Sequence, residues 1–523
     1  MQRKFLTNLG LLLFLNLLIK PVWIFGIDLT VQRNVGVGEY GFYFVILNFS
    51  FLFNIILDFG ITNFNNRNIA QHNHLLNKHF SGILVLKLLL GLAYVMLAFI
   101  GALILRYSPA QFWLLGWLAL NQFLLSFILY LRSNISGFLM FKTDSILSVL
   151  DRLLMILFCG LLLWGHVTVS KFRIEWFVYS QTAAYSITAA LAFLIVVKKA
   201  RFRKLNWNWP FFLMIIKQSL PFALLVLLMT FYNRLDPVML EVLLPKRAPN
   251  IQVGIIATVC HLNPVLLQNV LAEKTGDFQA GIYASGFRLL DAANMIAYLF
   301  AVLLVPIFSK MIKKRQSVEH MLKLSFTLII TLAIIVAMGS FFYSYEMIDL
   351  LYNTHAGNNH ISSSTHVFQM LILGFVAVSM TYIFGTLLTA NGNLKHLNII
   401  AVAGLVINLV LNLLLIPRFL ASGSAISSLV TQFTMAILQV IMVQRVFKFR
   451  INYRFLFTLA VFVTGVIAFN LLSHSIVIHW SFLPATRAWF GNFALMIAAS
   501  VLLALLLRLW SLKSLVRILR EDR

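Results

Sequence analysis

Residues 81–105 read SGILVLKLLLGLAYVMLAFIGALIL, a run in which Lys87 is the one formal charge. At 1.5 Å per helical residue the stretch reaches about 37 Å, enough to cross a hydrocarbon slab of about 30 Å with some tilt. A helix apolar on every face is at home inside a large core or a bilayer, not at a water surface. The rest of the chain repeats the pattern. Fourteen apolar segments lie at 8–29, 39–62, 81–105, 111–131, 146–166, 174–197, 211–237, 279–308, 322–344, 366–389, 396–416, 420–444, 453–472 and 488–509. Of the 523 residues 61% are apolar and 11% charged, where soluble domains carry about 25% charge. Mean hydropathy is +0.90. These values exclude a water-soluble enzyme, and the abundance of aromatics excludes a disordered chain. The sequence predicts an all-α polytopic membrane protein with 14 transmembrane helices.

Lys and Arg number 41 against 16 Asp and Glu, a formal charge of +25. In a soluble chain that would suggest nucleic acid. Here the bases fall in short runs between apolar segments, so no nucleic-acid partner is expected. With the N-terminus inside and alternating spans, twenty-six of the 41 bases fall on inner segments and nine on outer ones. That bias predicts both termini in the cytoplasm. Met1-Gln2-Arg3-Lys4 before an apolar run imitates a signal peptide. With no small-x-small cleavage site after it, the run reads as an uncleaved first helix. Residues 254–272 resemble a fifteenth span, but Asn263-Pro264 interrupts them, and a fifteenth crossing would move the basic runs outside. The stretch 243–277 therefore reads as an external insertion, with an interfacial helix within it. Cys159 and Cys260 make no disulfide framework.

Two stretches look alike. Pro21 precedes Gly38-Glu39-Tyr40-Gly41-Phe42-Tyr43, and Pro221 precedes Gly276-Asp277-Phe278 and Gly281-Ile282-Tyr283. They lie six spans apart, so both copies share one orientation, as in a parallel repeat. The repeat predicts an N-lobe at 1–205 (spans 1–6) and a C-lobe at 206–450 (spans 7–12, with the insertion 243–277). Spans 13–14 and a basic cytoplasmic tail would occupy 451–523.

A charge at the bilayer centre costs at least about 2.5–3.5 kcal/mol, so it faces protein, water or a ligand. Span 8 carries Arg288, Asp291, Met295 and Tyr298 at i, i+3, i+7 and i+10, with Asn294 alongside. That is one helix face. It reads either as a cavity wall that meets an anion or as a closed Arg–Asp pair. Span 1 puts Asn16, Lys20 and Trp23 on one face, with Pro21 freeing a backbone carbonyl. Lys20 sits too deep to snorkel easily. Span 2 carries Ser50, Asn54 and Asp58 at i, i+4 and i+8; Asn54 is a cavity candidate, and Asp58 has a helix-end reading beside it. Arg234 and Asp236, two apart in span 7, cannot share a face. Asp151, Arg152 and Lys87 read as structural or interfacial, Lys217 as a snorkelling stem, and the amides Asn391, Asn393, Asn398, Asn408 and Asn412 as helix-to-helix contacts. No P-loop, GxSxG or metal-spaced Cys/His cluster is present. Neither a metal nor a cofactor is expected.

The run Asn34-Val-Gly36-Val-Gly38-Glu39-Tyr40-Gly41-Phe42-Tyr43, with Asp58-Phe-Gly60 and Arg67-Asn-Ile-Ala70, resembles the opening of Wzx-type flippases for polysaccharide and O-antigen repeat units. Gly281-Ile-Tyr283, Arg288-Leu-Leu-Asp291 and Val305-Pro306 resemble a later part of the same family. So do Asn408-Leu-Val-Leu-Asn412, Pro417 and the small run Ala421-Ser-Gly423-Ser-Ala425. The resemblance implies the multidrug/oligosaccharidyl-lipid/polysaccharide flippase fold, two six-helix lobes around a central cavity open to each side in turn. It implies a bacterial inner membrane, a role in lipopolysaccharide or related surface-polysaccharide synthesis, and no enzymatic step. The implied cargo is an oligosaccharide on an isoprenoid pyrophosphate, moved from the cytoplasmic to the outer leaflet. Lys20, Arg234 and Arg288, with Asp291 tuning them, would then meet the pyrophosphate, and Trp23, Tyr298 and Asn54 the sugars. Asp58, Asp236 or Asp291 would carry a coupling ion, H+ or Na+. Membrane lipids and polysaccharide assembly proteins are the other implied partners. A drug/cation antiporter of the same fold, and more distantly an oligosaccharide polymerase or ligase, stay open as alternatives.

Overall fold

A computed structural model describes residues 15, 18–62, 75–137, 140–165, 172–199, 207–245, 272–353, 360–449, 452–475 and 488–510. Asn16, Arg67, the centre of the 243–277 insertion and the C-terminal tail lie outside them. Among the described residues every regular element is helical. The helices are α1 (Leu18–Val35), α2 (Val37–Leu52), α3 (Leu75–Ile104), α4 (Pro109–Gly137), α5 (Phe141–Trp164), α6 (Ile174–Lys199) and α7 (Trp209–Leu243). They continue as α8 (Gly276–Lys313), α9 (Glu319–Phe342), the short α10 (Ser344–Tyr352), α11 (Ile361–Ala390), α12 (Leu394–Phe447), α13 (Tyr453–Ser475) and α14 (Trp489–Leu506). Each of the fourteen apolar segments coincides with helix, the first in part. Ten helices are individually long and apolar enough to cross a membrane among the described residues, and α1 with α2 pass together as a bent pair. Because α12 holds two of the segments, these helices are consistent with fourteen crossings.

The breaks have local causes. Pro21 cannot donate a backbone hydrogen bond, and directly after it Val22–Asp28 winds as a π-helix. Gly36 then takes φ 87, a conformation that costs glycine little, and the chain turns by 120° into α2. Within α12, three residues beyond Pro417, Leu420 sits at φ 54. Its two arms fold against each other there; a Cβ on Gly423 would overlap the Leu415 carbonyl oxygen.

The chain divides into two compact units, 1–281 and 282–523, with the division falling inside α8. In the first, α2 packs on α4 and α7, and α6 on α4 and α5. α3 shows how such a helix is used. Leu86, Leu90, Tyr94, Ala98 and Ala102 recur every fourth residue and are buried, while Leu92, Met96 and Leu103 are exposed on the side left for lipid. Lipid chains are as apolar as leucine, so close packing of small residues holds such helices together rather than hydrophobic burial. In the second unit α11 packs on α9 and α12, and α9 on α13 and α14.

The two glycine motifs meet in space. A Cβ on Gly41 would overlap the Asp277 carbonyl oxygen and lie 2.6 Å from the Gly281 nitrogen. One on Gly281 would overlap the Val37 carbonyl oxygen. Each copy thus presents a bare backbone to the other. We expect Gly41→Ala to destabilise the fold by about 1–3 kcal/mol, the usual cost of overpacking. Gly392→Ala, at φ 81 with nothing within 4 Å, should cost about 1 kcal/mol from backbone strain alone. Thermal unfolding of the two variants in detergent reads the difference.

Candidate functional site

In the first unit, α1, α5 and α6 assemble a cationic, aromatic site. The Arg152 guanidinium of α5 lies 5.6 Å from the Trp23 ring centroid. It donates to the Tyr185 hydroxyl at 3.3 Å and stands 3.9 Å from the Asp151 carboxylate. Trp23 in turn stacks on Phe177 of α6 at 5.7 Å, with the rings 6° from parallel. Tyr43 meets Phe177 edge-on at 5.4 Å and accepts a hydrogen bond from Gln181 at 3.1 Å. Lys20 lies within electrostatic range of Arg152 and Asp151. The π-wound stretch after Pro21 carries Trp23 beside Lys20, so the looser winding sits at the site itself. Behind the tryptophan, Ile128, Met155, Ala184 and Ala189 form a buried wall. Lys20, Trp23 and Arg152 stay partly accessible in front of it. Two bases and one acid leave one formal positive charge next to stacked rings, a surface suited to a phosphate group and a sugar face.

A second station lies on α7 and α2. Arg234 reaches the Asn48 side-chain oxygen at 3.4 Å and lies 5.1 Å from the Phe51 ring centroid. Arg234 is partly accessible whereas Asp236 is fully buried, as their two-residue offset requires.

Asp58 is committed elsewhere. The Lys87 ammonium is 2% exposed and contacts the Asp58 carboxylate at 2.5 Å. It also donates to the Leu57 carbonyl at 2.9 Å and to Ser126 at 3.0 Å. Thr62 donates to the same carboxylate. The i, i+4, i+8 face expected for Ser50, Asn54 and Asp58 does not form. α2 ends at Leu52, Asn54–Leu57 tightens into a 3-10 turn, and Phe59 and Gly60 take positive φ. Asn54 is half-buried in that turn.

In the second unit, α8 has two unlike faces. Leu290, Ala293, Ala297, Ala301 and Leu304 are buried. Arg288, Asp291, Asn294 and Met295 are partly accessible, and Tyr298 is 51% exposed, edge-on to Tyr382 at 6.2 Å. The predicted stripe is the less buried face of its helix. Charges on such a face need a partner side chain, water or a ligand, since lipid would not tolerate them.

Arg152 reads from the sequence as structural or interfacial. Its pairing with Asp151 looked structural, yet its reach to Trp23 and Tyr185 brings it into the Lys20 site. An arginine inside an apolar run was itself the available signal.

The model of a family described as polysaccharide biosynthesis protein matches residues 6–312. That of the lipid II flippase MurJ matches residues 264–499. No curated protein sequence matches the chain. Among solved structures, a lipid II flippase MurJ in an inward closed conformation is similar at 14% identity and a TM-score of 0.66, covering 95% of this chain and 99% of that one. An inward-facing multidrug resistance MATE family transporter of the MOP superfamily is similar at 11% identity and a TM-score of 0.58, covering 82% and 96%. At these identities the likeness is one of fold.

The Lys87–Asp58 pair gives a test of which charges hold the fold. Removing one partner of a buried pair strands the other. With Asp58 30% exposed, we expect Lys87→Ala to cost about 2–4 kcal/mol, toward the lower end of the range for buried pairs. Arg152→Ala should cost less, as its side chain is less buried than that of Lys87. Unfolding midpoints in detergent rank the two.

Proposed function

The chain belongs to the polysaccharide biosynthesis protein family, and from that premise we propose that it flips oligosaccharides linked to an isoprenoid pyrophosphate from the cytoplasmic to the outer leaflet. The observation that carries this reading is the Lys20–Trp23–Arg152 cluster, with Arg152 over the Trp23 ring at 5.6 Å. A pyrophosphate is anionic and must cross a low-dielectric slab. Partly accessible bases in that slab compensate its charge where screening is weak. The Arg fork can engage two phosphate oxygens, and the stacked aromatics offer flat apolar faces to sugar rings. Arg234 in the same unit, and Arg288 in the other, extend the series. No bond is made or broken in such a cycle, so the protein acts as a transporter.

The finer features of the proposal follow from the sequence. The basic bias favours both termini in the cytoplasm, and the family resemblance implies a bacterial inner membrane. The repeat divides the chain into lobes at 1–205 and 206–450, with 451–523 appended. Asp58, Asp236 and Asp291 are the acids we propose for coupling to H+ or Na+; of these, Asp58 is engaged by Lys87. Cargo arrives from, and leaves to, polysaccharide assembly proteins on either side. The MATE-like fold invites a cation antiporter as the second reading. Such a cargo calls for unopposed acids, and the Lys20 site holds two bases to one acid.

Reconstitution into liposomes with a fluorescent isoprenoid-pyrophosphate sugar tests the function. Protein-dependent transfer between leaflets is expected. Arg152→Ala and Arg288→Ala should each slow it by roughly 10–100-fold, the value of one charged hydrogen bond of about 1.5–3 kcal/mol. Full transfer in both variants would remove the cationic stations from the mechanism. Export of organic cations by folded protein that leaves the glycolipid unmoved would replace the flippase with the antiporter.

A further inference from the structure

The second unit holds a basic pocket that shares no residue with these stations. A cavity of about 340 Å³ lies between the starts of α9 and α13 and the end of α14. Lys323 of α9, Arg454 of α13 and Arg508, just past α14, line it together with His320. All four are exposed at its rim. No Asp or Glu lines it, and among the described residues none of the three bases is held in an ion pair. Its deeper wall is mixed: Thr327 and Thr458 with Leu324, Phe455 and Leu507. Lys323 lies 5.9 Å from the Phe455 ring centroid.

The pocket is built rather than incidental. Beyond α14 the chain returns to α9, where Trp510 donates to the Thr331 hydroxyl at 2.6 Å and Leu509 enters the buried cluster of Ile330, Ile334 and Phe462. Between them and α14, Arg508 is held at φ 55, in the left-handed region that non-glycine residues seldom occupy. That anchored return fixes the third base beside the other two.

We propose that this pocket binds the phosphate of an anionic glycerophospholipid from the cytoplasmic leaflet. Alternation places the starts of α9 and α13 and the end of α14 on one side, the side that carries most of the bases and that we assign to the cytoplasm. There the leaflet is anionic, and basic clusters at helix ends meet lipid headgroups. Arg454 and Arg508 present forks that match phosphate oxygens, and Lys323 adds a point charge. The apolar part of the wall continues the path to the acyl chains at the level where the helices enter the membrane. A soluble phosphate ester would use the bases but leave Leu324, Phe455 and Leu507 uncovered.

Native mass spectrometry of the full chain in detergent, titrated with phosphatidylglycerol or phosphatidylethanolamine, tests the proposal. Phosphatidylglycerol should be retained preferentially. Lys323→Gln, Arg454→Gln and Arg508→Gln together should weaken retention roughly a hundredfold, about fivefold for each base removed. Unfolding midpoints measured without lipid show whether the triple variant folds; if it does not, Arg454→Gln alone, at an exposed helix start, should still give its fivefold. Lys20→Ala with Arg152→Ala should leave retention unchanged, which separates this pocket from the cargo site. Equal retention of both lipids, or undiminished retention in the variants, would overturn the proposal. Displacement of phosphatidylglycerol by equimolar inorganic phosphate would overturn the lipid as the source.

Discussion

A charge inside a bilayer must find a partner or water, and this requirement sorts the intramembrane residues of the chain into two classes. Asp58 and Lys87 satisfy one another with help from a backbone carbonyl, Ser126 and Thr62. Arg132 and Asp144 pair at 2.8 Å. These closed arrangements fasten helices. Lys20, Arg152, Arg234 and Arg288 instead keep part of their surface accessible. The closed pairs hold the frame still, while Arg152 and Arg234, though partnered by Asp151 and Asn48, stay within reach of an anion.

The same solvent forbids loose backbone, since an unpaired N–H or C=O in hydrocarbon costs several kcal/mol. Irregular backbone is therefore confined to places where protein surrounds it or where the chain leaves the slab. The π-wound turn after Pro21 lies beside Trp23 and its wall from α4, α5 and α6. The 3-10 turn at Asn54–Leu57 lies beside Lys87, which takes up the Leu57 carbonyl. In both places a departure from α-helix accompanies a buried or half-buried cation.

Much of the fold was legible along the chain, because hydropathy measures the constraint that matters most in a membrane. Most segment limits fall close to the helix ends, though the second segment runs to 62 where α2 ends at Leu52, and the Arg288–Tyr298 face needed only helical periodicity. Neighbours across helices were not legible. Trp23 and Arg152 meet because α1 and α5 lie side by side, and no spacing in one dimension encodes that. Asp58 meets Lys87, 29 positions away in sequence, because α3 runs past the end of α2. The Ser50–Asn54–Asp58 face failed for a different reason: periodicity assumes an unbroken helix, and this one ends at Leu52 and gives way to a 3-10 turn at Asn54–Leu57.

The single-residue turn at Gly36 bears on how the protein is made. α1 and α2 are joined with no loop between them, and the 120° reversal leaves Arg33, Asn34 and Glu39 exposed near its apex. A translocon handling this segment has no tether with which to park one helix while it waits for the other. Inserted together as a hairpin, the two would carry a base and an acid over side by side, so that neither crossed as a lone charge. The cost of inserting this pair would then be that of the hairpin rather than of either helix.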